Sequence, residues 1–210
     1  MRTRRLGAGG PEVSAIGVGA MSFAGVYGRT TEAEAHRLLA AALELGIDHV
    51  DTSNVYGMGL SERMIGSFLA RAGRDRFRIA TKAGIRHDPD SGARSFDNGR
   101  AHLTAELEGS LRRLGVEAVD LFYVHRRDPG LPIEEVAETL AGLVGAGKAK
   151  AIGFSEVRPR RSAARPWCIL SPPCSRSTRS GPGRRSSAWC RPARRSAPRS
   201  SPSRRSAAAC

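Results

Sequence analysis

Asp51, Tyr56, Lys82, His125 and Ser155 are the residues of this chain whose types and places could do chemistry together. Each follows an apolar, strand-like run: Asp51 and Tyr56 come after Ile47–Val50, Lys82 after Phe77–Thr81, His125 after Val119–Val124, and Ser155 after Ile152–Phe154. In a parallel α/β protein the C-terminal ends of strands converge on one mouth, which is its functional face. A phenol ordinarily holds its proton until about pH 10. Proton transfer near neutrality therefore needs a cation beside it, and an ammonium about 4 Å away contributes on the order of 4 kcal/mol at an effective dielectric near 20. Lys82 could be that cation, Asp51 could hold and orient it, and His125 could position a carbonyl oxygen against the Tyr56 hydroxyl. Together they form an acid suited to protonating an oxygen while a hydride arrives on the adjoining carbon. Taken singly, each has a plainer role: Lys82 a solvated charge, His125 a satisfied hydrogen-bonder beside Arg126 and Arg127, Asp51 a cap. Their recurrence at successive strand ends favours the joint reading.

The elements that must position them alternate. Ala15–Val18 reads as a strand, Thr31–Leu45 as a helix with Thr30 or Thr31 as cap and Glu34 in capping-box position, Asp48–Val50 as a strand, and Leu60–Ala72 as a helix. Phe77–Thr81, Val119–Val124 and Ala149–Phe154 read as further strands. Between them lie the helices Ala101–Leu114, closed by Gly115, and Ile133–Val144, closed by Gly145. Residues 2–14, centred on Gly7–Pro11, read as a small hairpin ahead of the first of these strands. Strands alternating with helices imply a parallel sheet with right-handed crossovers. The pattern alone does not choose between an open doubly wound sheet and a barrel. Gly17-Val18-Gly19 could begin a dinucleotide fingerprint, but the third glycine is missing and the next helix starts about a dozen residues on.

The longer motifs do choose. Gly46-Ile47-Asp48-His49-Val50-Asp51-Thr52-Ser53-Asn54-Val55-Tyr56-Gly57, followed by Ser61-Glu62, resembles the signature of the aldo-keto reductases. Ile79–Lys82, Asp120–His125 and Gly147–Glu156 resemble their lysine, histidine and fifth-strand segments. The resemblance covers residues 1 to about 159 and implies the first five β/α units of a (β/α)8 TIM barrel. It also implies NADPH as hydride donor and reduction of an aldehyde or ketone. By that resemblance Tyr56 is the general acid and Asp51, Lys82 and His125 complete its tetrad. Gly19, Ala20, Met21, Asp51 and Ser155 are then the positions against the cofactor, with Ser155 at the nicotinamide carboxamide. His125-Arg126-Arg127-Asp128-Pro129 suggests a branch acting on varied carbonyl compounds.

His36, His49, His87 and His102 lack metal-ligand spacing and read as structural or exposed. The charges of Arg74-Asp75-Arg76 and Arg86-His87-Asp88 read as solvated turns. No apolar run of secretory length follows the basic start Met1–Arg5, and no stretch of about 18 apolar residues could span a bilayer, so the expectation is a cytoplasmic protein without membrane contact.

A net charge of +14 over 210 residues would ordinarily suggest a nucleic-acid or membrane-surface partner. The average hides a break: residues 1–157 hold 20 basic and 20 acidic residues, and residues 158–210 hold 14 Arg and no acid. All 4 cysteines and both tryptophans also lie in the second part. Past Pro159 the alternation stops, and the Arg-, Ser-, Pro- and Ala-rich remainder should be a disordered basic tail. Its arginine–serine tracts, such as Ser175–Ser180, would suit RNA or splicing partners, which leaves a barrel remnant with a nucleic-acid-binding tail as the alternative function.

The genetic code favours another origin. If one G is lost after the Pro159 codon, the codons allowed for Arg160–Ala164 restore Glu-Thr-Leu-Arg-Arg, and those for Pro173–Pro182 restore Ala-Leu-Gln-Ser-Glu-Tyr-Ser-Leu-Trp-Thr. Ser203–Cys210 allow Phe-Ser-Pro-Leu-Gly-Arg-Gly-Leu. Each is a segment of the kind the aldo-keto reductases carry at that point. The expectation is therefore a frameshift, with 1–159 as barrel sequence and 160–210 out of frame. The basic charge is then an accident of frame, the partner a small carbonyl compound, and the chain as written truncated, poorly folded and inactive. Substrate identity and oligomeric state are left open.

Overall fold

A computed structural model describes residues 1–6, 10–88 and 91–156. The expected disordered tail at 160–210 lies outside those residues, as does part of the Gly7–Pro11 turn. The chain opens with an antiparallel hairpin of β1 (Thr3–Arg5) and β2 (Glu12–Ser14), registered Thr3↔Ser14 to Arg5↔Glu12, where a hairpin was expected. A parallel sheet and its helices follow: β3 (Val18–Gly19), α1 (Glu32–Glu44), β4 (His49–Asp51), α2 (Leu60–Ala72) and β5 (Arg78–Ala83). After a second small hairpin, β6 (Ile85–His87) with β7 (Arg94–Phe96), come α3 (Arg100–Leu114), β8 (Leu121–Val124), α4 (Ile133–Gly145) and β9 (Ile152–Phe154). The sheet order β3-β4-β5-β8-β9 follows the sequence, and every neighbouring pair is parallel. Strands added in sequence, each of the first four returning through a helix, give the start of a (β/α)8 barrel, with four β/α units and a fifth strand among the described residues.

Side chains alternate across these strands as a pleated sheet requires. Val18, Val50, Ile79, Phe122, Val124 and Ile152 join Leu39, Ile65, Leu107 and Leu140 of the helices in the main core. Ala80, Leu121 and Ala151 form a separate small cluster on the other face, covered by Leu6 of the N-terminal hairpin and by Tyr123. The hairpin is tied to the sheet by two reciprocal bonds: the Ser14 amide donates to Asp48 Oδ1 (2.7 Å) and the Asp48 amide to Ser14 Oγ (3.2 Å). Gly153 stands beside the Tyr123 ring, where a Cβ would fall 2.7 Å from a ring carbon.

Helix ends follow the sequence signals closely. Thr31 caps α1, and its capping box with Glu34 is complete. Such a cap is worth about 1 kcal/mol. Helix α2 has the expected limits, and α3 ends at Gly115 in the left-handed conformation (φ +68°). Helix α4 runs one residue past expectation, through Gly145.

Several expected bounds need correction: β5 runs on through Ala83, so Lys82 lies inside it rather than after it, and β8 and β9 begin only at Leu121 and Ile152 because Val119 and Ala149 form an isolated bridge. The strand expected from Ala15 begins only at Val18, because the Ser14 hydroxyl donates to the Ile16 carbonyl (2.7 Å) and bends the chain, leaving Ile16 exposed. Arg86-His87, expected in a solvated turn, instead belong to β6. Gly84, at φ +106°, ends the run of β5 and lets Ile85–His87 leave the sheet and pair with β7 in the register Ile85↔Phe96 to His87↔Arg94. Arg86 is indeed solvated, and it pairs with Asp97 (3.1 Å). Among the described residues, no helix is long and apolar enough to cross a membrane.

Candidate active site

The period-2 alternation that sends Val50 into the helical core turns Asp51 to the inner face of the sheet. On β5 the same rule turns Ala80 and Lys82 inward and Thr81 outward. Since Asp51 registers with Ala80, Lys82 lies two residues further toward the mouth, and its ammonium reaches back to the neighbouring strand. There it forms an ion pair with Asp51 Oδ1 and donates to the Thr52 carbonyl at 3.1 Å. The lysine side chain is only 10% exposed and that of Asp51 36%, so this cation is held largely away from water.

The β4–β5 ladder continues past the end of β4. The Thr52 amide donates to the Ala80 carbonyl (2.9 Å) and the Asn54 amide to the Lys82 carbonyl (3.2 Å), carrying the following turn to the mouth. Tyr56 sits on that turn, its amide donating to the Ser53 carbonyl (3.1 Å) and its carbonyl accepting from the Ser61 amide (3.2 Å). Lys82 Nζ lies 5.3 Å from the centre of the Tyr56 ring. His125 follows β8, its amide extending the ladder to the Ala83 carbonyl (2.8 Å), and its ring meets that of Tyr56 edge to face at 5.8 Å and 85°. The structure thus brings Asp51, Tyr56, Lys82 and His125, drawn from three strand ends, to one place.

Burial, then the charges of Lys82 and Arg126, pull the His125 imidazole down from its ordinary value to about 4, so the ring is neutral near pH 7. Tyr123 faces the same interior, and burial, followed by the Asp51 carboxylate, pushes its phenol up.

The expected cofactor positions flank this group. Gly19 ends β3 in register with Asp51, and the space where its Cβ would stand is open. Ser155 follows β9 at the opposite end of the strand row, its amide donating to the Val124 carbonyl (2.9 Å), and its half-buried hydroxyl has no hydrogen bond among the described residues. The one leaves room and the other a free polar group, the features a bound cofactor would need. Ala20 differs from its neighbours: its side chain is buried in the helical core, so only its backbone can face a ligand. Met21 is half-buried in the short 3₁₀ turn Ala20–Ala24.

Several supporting residues carry no signal in spacing alone. Ser53 Oγ lies 3.0 Å from His125 Nδ1. Asn98, almost fully buried, donates to the Arg126 carbonyl (3.1 Å) and accepts from the Asp128 amide (2.7 Å), clamping the loop that carries His125. Glu62, fully buried on α2, accepts from Thr81 Oγ1 and Arg113 Nε, each at 2.6 Å, and so anchors the residue next to Lys82. Ser61, its neighbour, joins Thr52 (2.8 Å) to the Ala20 carbonyl (2.8 Å). The sequence hint for these two was their place in the Ser61-Glu62 motif. Among the described residues no group of three or more His, Cys, Asp or Glu is placed to hold a metal ion.

Comparison with known proteins agrees with this geometry. The curated relatives include the aldo-keto reductase yakc of Schizosaccharomyces pombe, whose name carries NADP(+), 37% identical over 166 residues that make up 77% of this chain and 48% of the relative. The aldo-keto reductase YhdN of Bacillus subtilis is 39% identical over 148 residues, 70% of this chain and 44% of the relative. Among solved structures, the holo form of an aldo-keto reductase from Bacillus halodurans superposes with a TM-score of 0.68 at 33% identity, covering 76% of this chain and 51% of that one. The chain spans about half the length of the curated relatives it matches. The model of the aldo/keto reductase family matches residues 15–164, a stretch that takes in the strand ends just described, and the chain therefore belongs to the aldo/keto reductase family.

Proposed function

We propose that the mouth formed by Asp51, Tyr56, Lys82 and His125 serves to reduce the carbonyl group of an aldehyde or ketone to the alcohol, with NADPH as the hydride donor. The observation that carries this reading is the Lys82 ammonium, held by the Asp51 carboxylate and the Thr52 carbonyl at 5.3 Å from the Tyr56 ring. When bound, NADPH supplies the hydride that the carbonyl carbon accepts. His125, neutral near pH 7, orients the carbonyl oxygen through a ring nitrogen. The Tyr56 hydroxyl gives that oxygen its proton, and the Lys82 ammonium stabilises the phenolate left behind. Asp51 keeps the ammonium in place. The cofactor positions are Gly19, Ala20 through its backbone, Met21, Asp51 and Ser155. The reading takes a small carbonyl compound as partner and the cytoplasm as compartment, with no role for nucleic acid.

We propose also that residues 160–210 as written are an out-of-frame reading, and that the chain in this form does not turn over. The charge break after residue 157 and a family match ending at residue 164 support this. Coding DNA re-read around the Pro159 codon tests the frame directly. A chain with the missing G restored should consume NADPH only when an aldehyde or ketone is present, and failure across a broad panel of both would count against the reductase reading. The chain as written should leave NADPH fluorescence unchanged at micromolar cofactor; quenching or a shift would overturn its proposed inactivity. Salt-dependent RNA or DNA binding lost on deletion of 160–210 would instead favour a nucleic-acid role.

A further inference from the structure

The Ser53 hydroxyl is fully buried and has one proton to give and three neighbours that could take it: His125 Nδ1 at 3.0 Å, the Lys82 carbonyl at 3.1 Å and Asn54 Oδ1 at 3.2 Å. A neutral imidazole carries its proton on one nitrogen and a lone pair on the other, so the direction of the Ser53 proton decides which. With the proton on either oxygen, Ser53 accepts from Nδ1–H, and Nε2 presents a lone pair that repels a carbonyl oxygen. With the proton on Nδ1, Nε2 carries hydrogen and can donate to that oxygen.

Two observations separate these arrangements. An O–H···O bond is ordinarily 2.5–3.0 Å long, and both oxygen contacts exceed that range, whereas 3.0 Å is an ordinary oxygen–nitrogen hydrogen bond. The Lys82 carbonyl already receives the Asn54 amide (3.2 Å), so it needs no proton from Ser53. Among the described residues, Nε2 has no hydrogen-bond partner and is left for a ligand. From this geometry we propose that Ser53 is a positioning residue: it donates to His125 Nδ1, fixes the Nε2–H tautomer, and so presents a hydrogen-bond donor to the carbonyl oxygen. The proposal rests on the reading of His125 given above and adds how its ring is held.

Nitrogen-15 NMR of the histidine-labelled, frame-restored chain near pH 7, with the His125 signals assigned through His125→Gln, reads the tautomer without substrate or cofactor. In the parent the expected result is a single Nε2–H form with Nδ1 as hydrogen-bond acceptor. Ser53→Ala should give the averaged signals of a free imidazole with circular dichroism unchanged, and Ser53→Thr should keep the parent pattern. If Ser53→Ala does not fold, Ser53→Cys, with its weaker donor, carries the comparison and should show partial averaging. An Nδ1–H or averaged ring in the parent, or one that Ser53→Ala leaves unchanged, overturns the proposal. A fixed Nε2–H ring without aldehyde reduction by the frame-restored chain would count against the reductase reading alone, and turnover with an Nδ1–H ring against Ser53 alone.

Discussion

Lys82→Met removes the ammonium and keeps an unbranched side chain of similar length, so it isolates the charge. Lys82 Nζ stands 5.3 Å from the Tyr56 ring centre, and a phenolate spreads its charge over that ring. At an effective dielectric near 20, the attraction between two unit charges at this separation is about 3 kcal/mol. The lysine is 10% exposed, so screening by water is slight, but the Asp51 carboxylate on the same ammonium offsets part of the field. The stabilisation lost should therefore be about 2–3 kcal/mol, or roughly 30- to 200-fold in kcat. The assay is NADPH consumption with a saturating aldehyde by the frame-restored chain, together with an NADPH Kd from fluorescence to show that binding survives. Because the charge matters after proton transfer begins, kcat should fall while Kd moves by less than about threefold. A Lys82→Met variant with kcat within about threefold of the parent would refute the role given to this ammonium.

Two further outcomes follow from groups around the tetrad. Glu62→Ala strips a fully buried carboxylate from Arg113 and Thr81, which should cost about 3–5 kcal/mol in urea unfolding followed by circular dichroism. An unchanged midpoint would mean that the buried network does not anchor the strand carrying Lys82. His125 titrates near 6.5 when unfolded and at about 4 when folded, so between those values the unfolded state binds more protons. Its contribution to stability is full above pH 6.5 and is lost as pH falls toward 4; with a half-exposed ring the loss should be about 1–2 kcal/mol. His125→Gln should remove that part of the pH dependence, and an unaltered profile would contradict the burial assigned to the ring.

The residues that do the proposed chemistry were legible because each sits where an apolar run meets a polar residue. Asp51, Lys82 and His125 all fall at such a boundary, and period-2 alternation explains why they share a face. The helix limits were legible for an equally local reason, since Thr31, Glu34 and Gly115 carry cap chemistry in their own side chains or lack of one. What could not be read depends on contacts distant in sequence. The strand at Val18 starts late because the Ser14 hydroxyl turns back to the Ile16 carbonyl, with Ser14 itself held by Asp48 34 residues away, and the β6–β7 hairpin is polar at most positions and carries little periodic signal. The partners of His125 lie further still: Ser53 is 72 residues away, and Asn98 holds the His125 loop from the start of another helix. Ala20 is a further case, a position expected at the cofactor whose side chain the core absorbs, so that its backbone alone is left for a ligand.

In the proposed reaction Tyr56 delivers the proton. Tyr56→Phe in the frame-restored chain removes one hydroxyl and keeps the ring that packs against His125. Steady-state carbonyl reduction should fall by about 10²–10⁴-fold, the usual contribution of a positioned general acid, while NADPH binding stays nearly intact. Reduction at the parent rate would mean that another group supplies the proton.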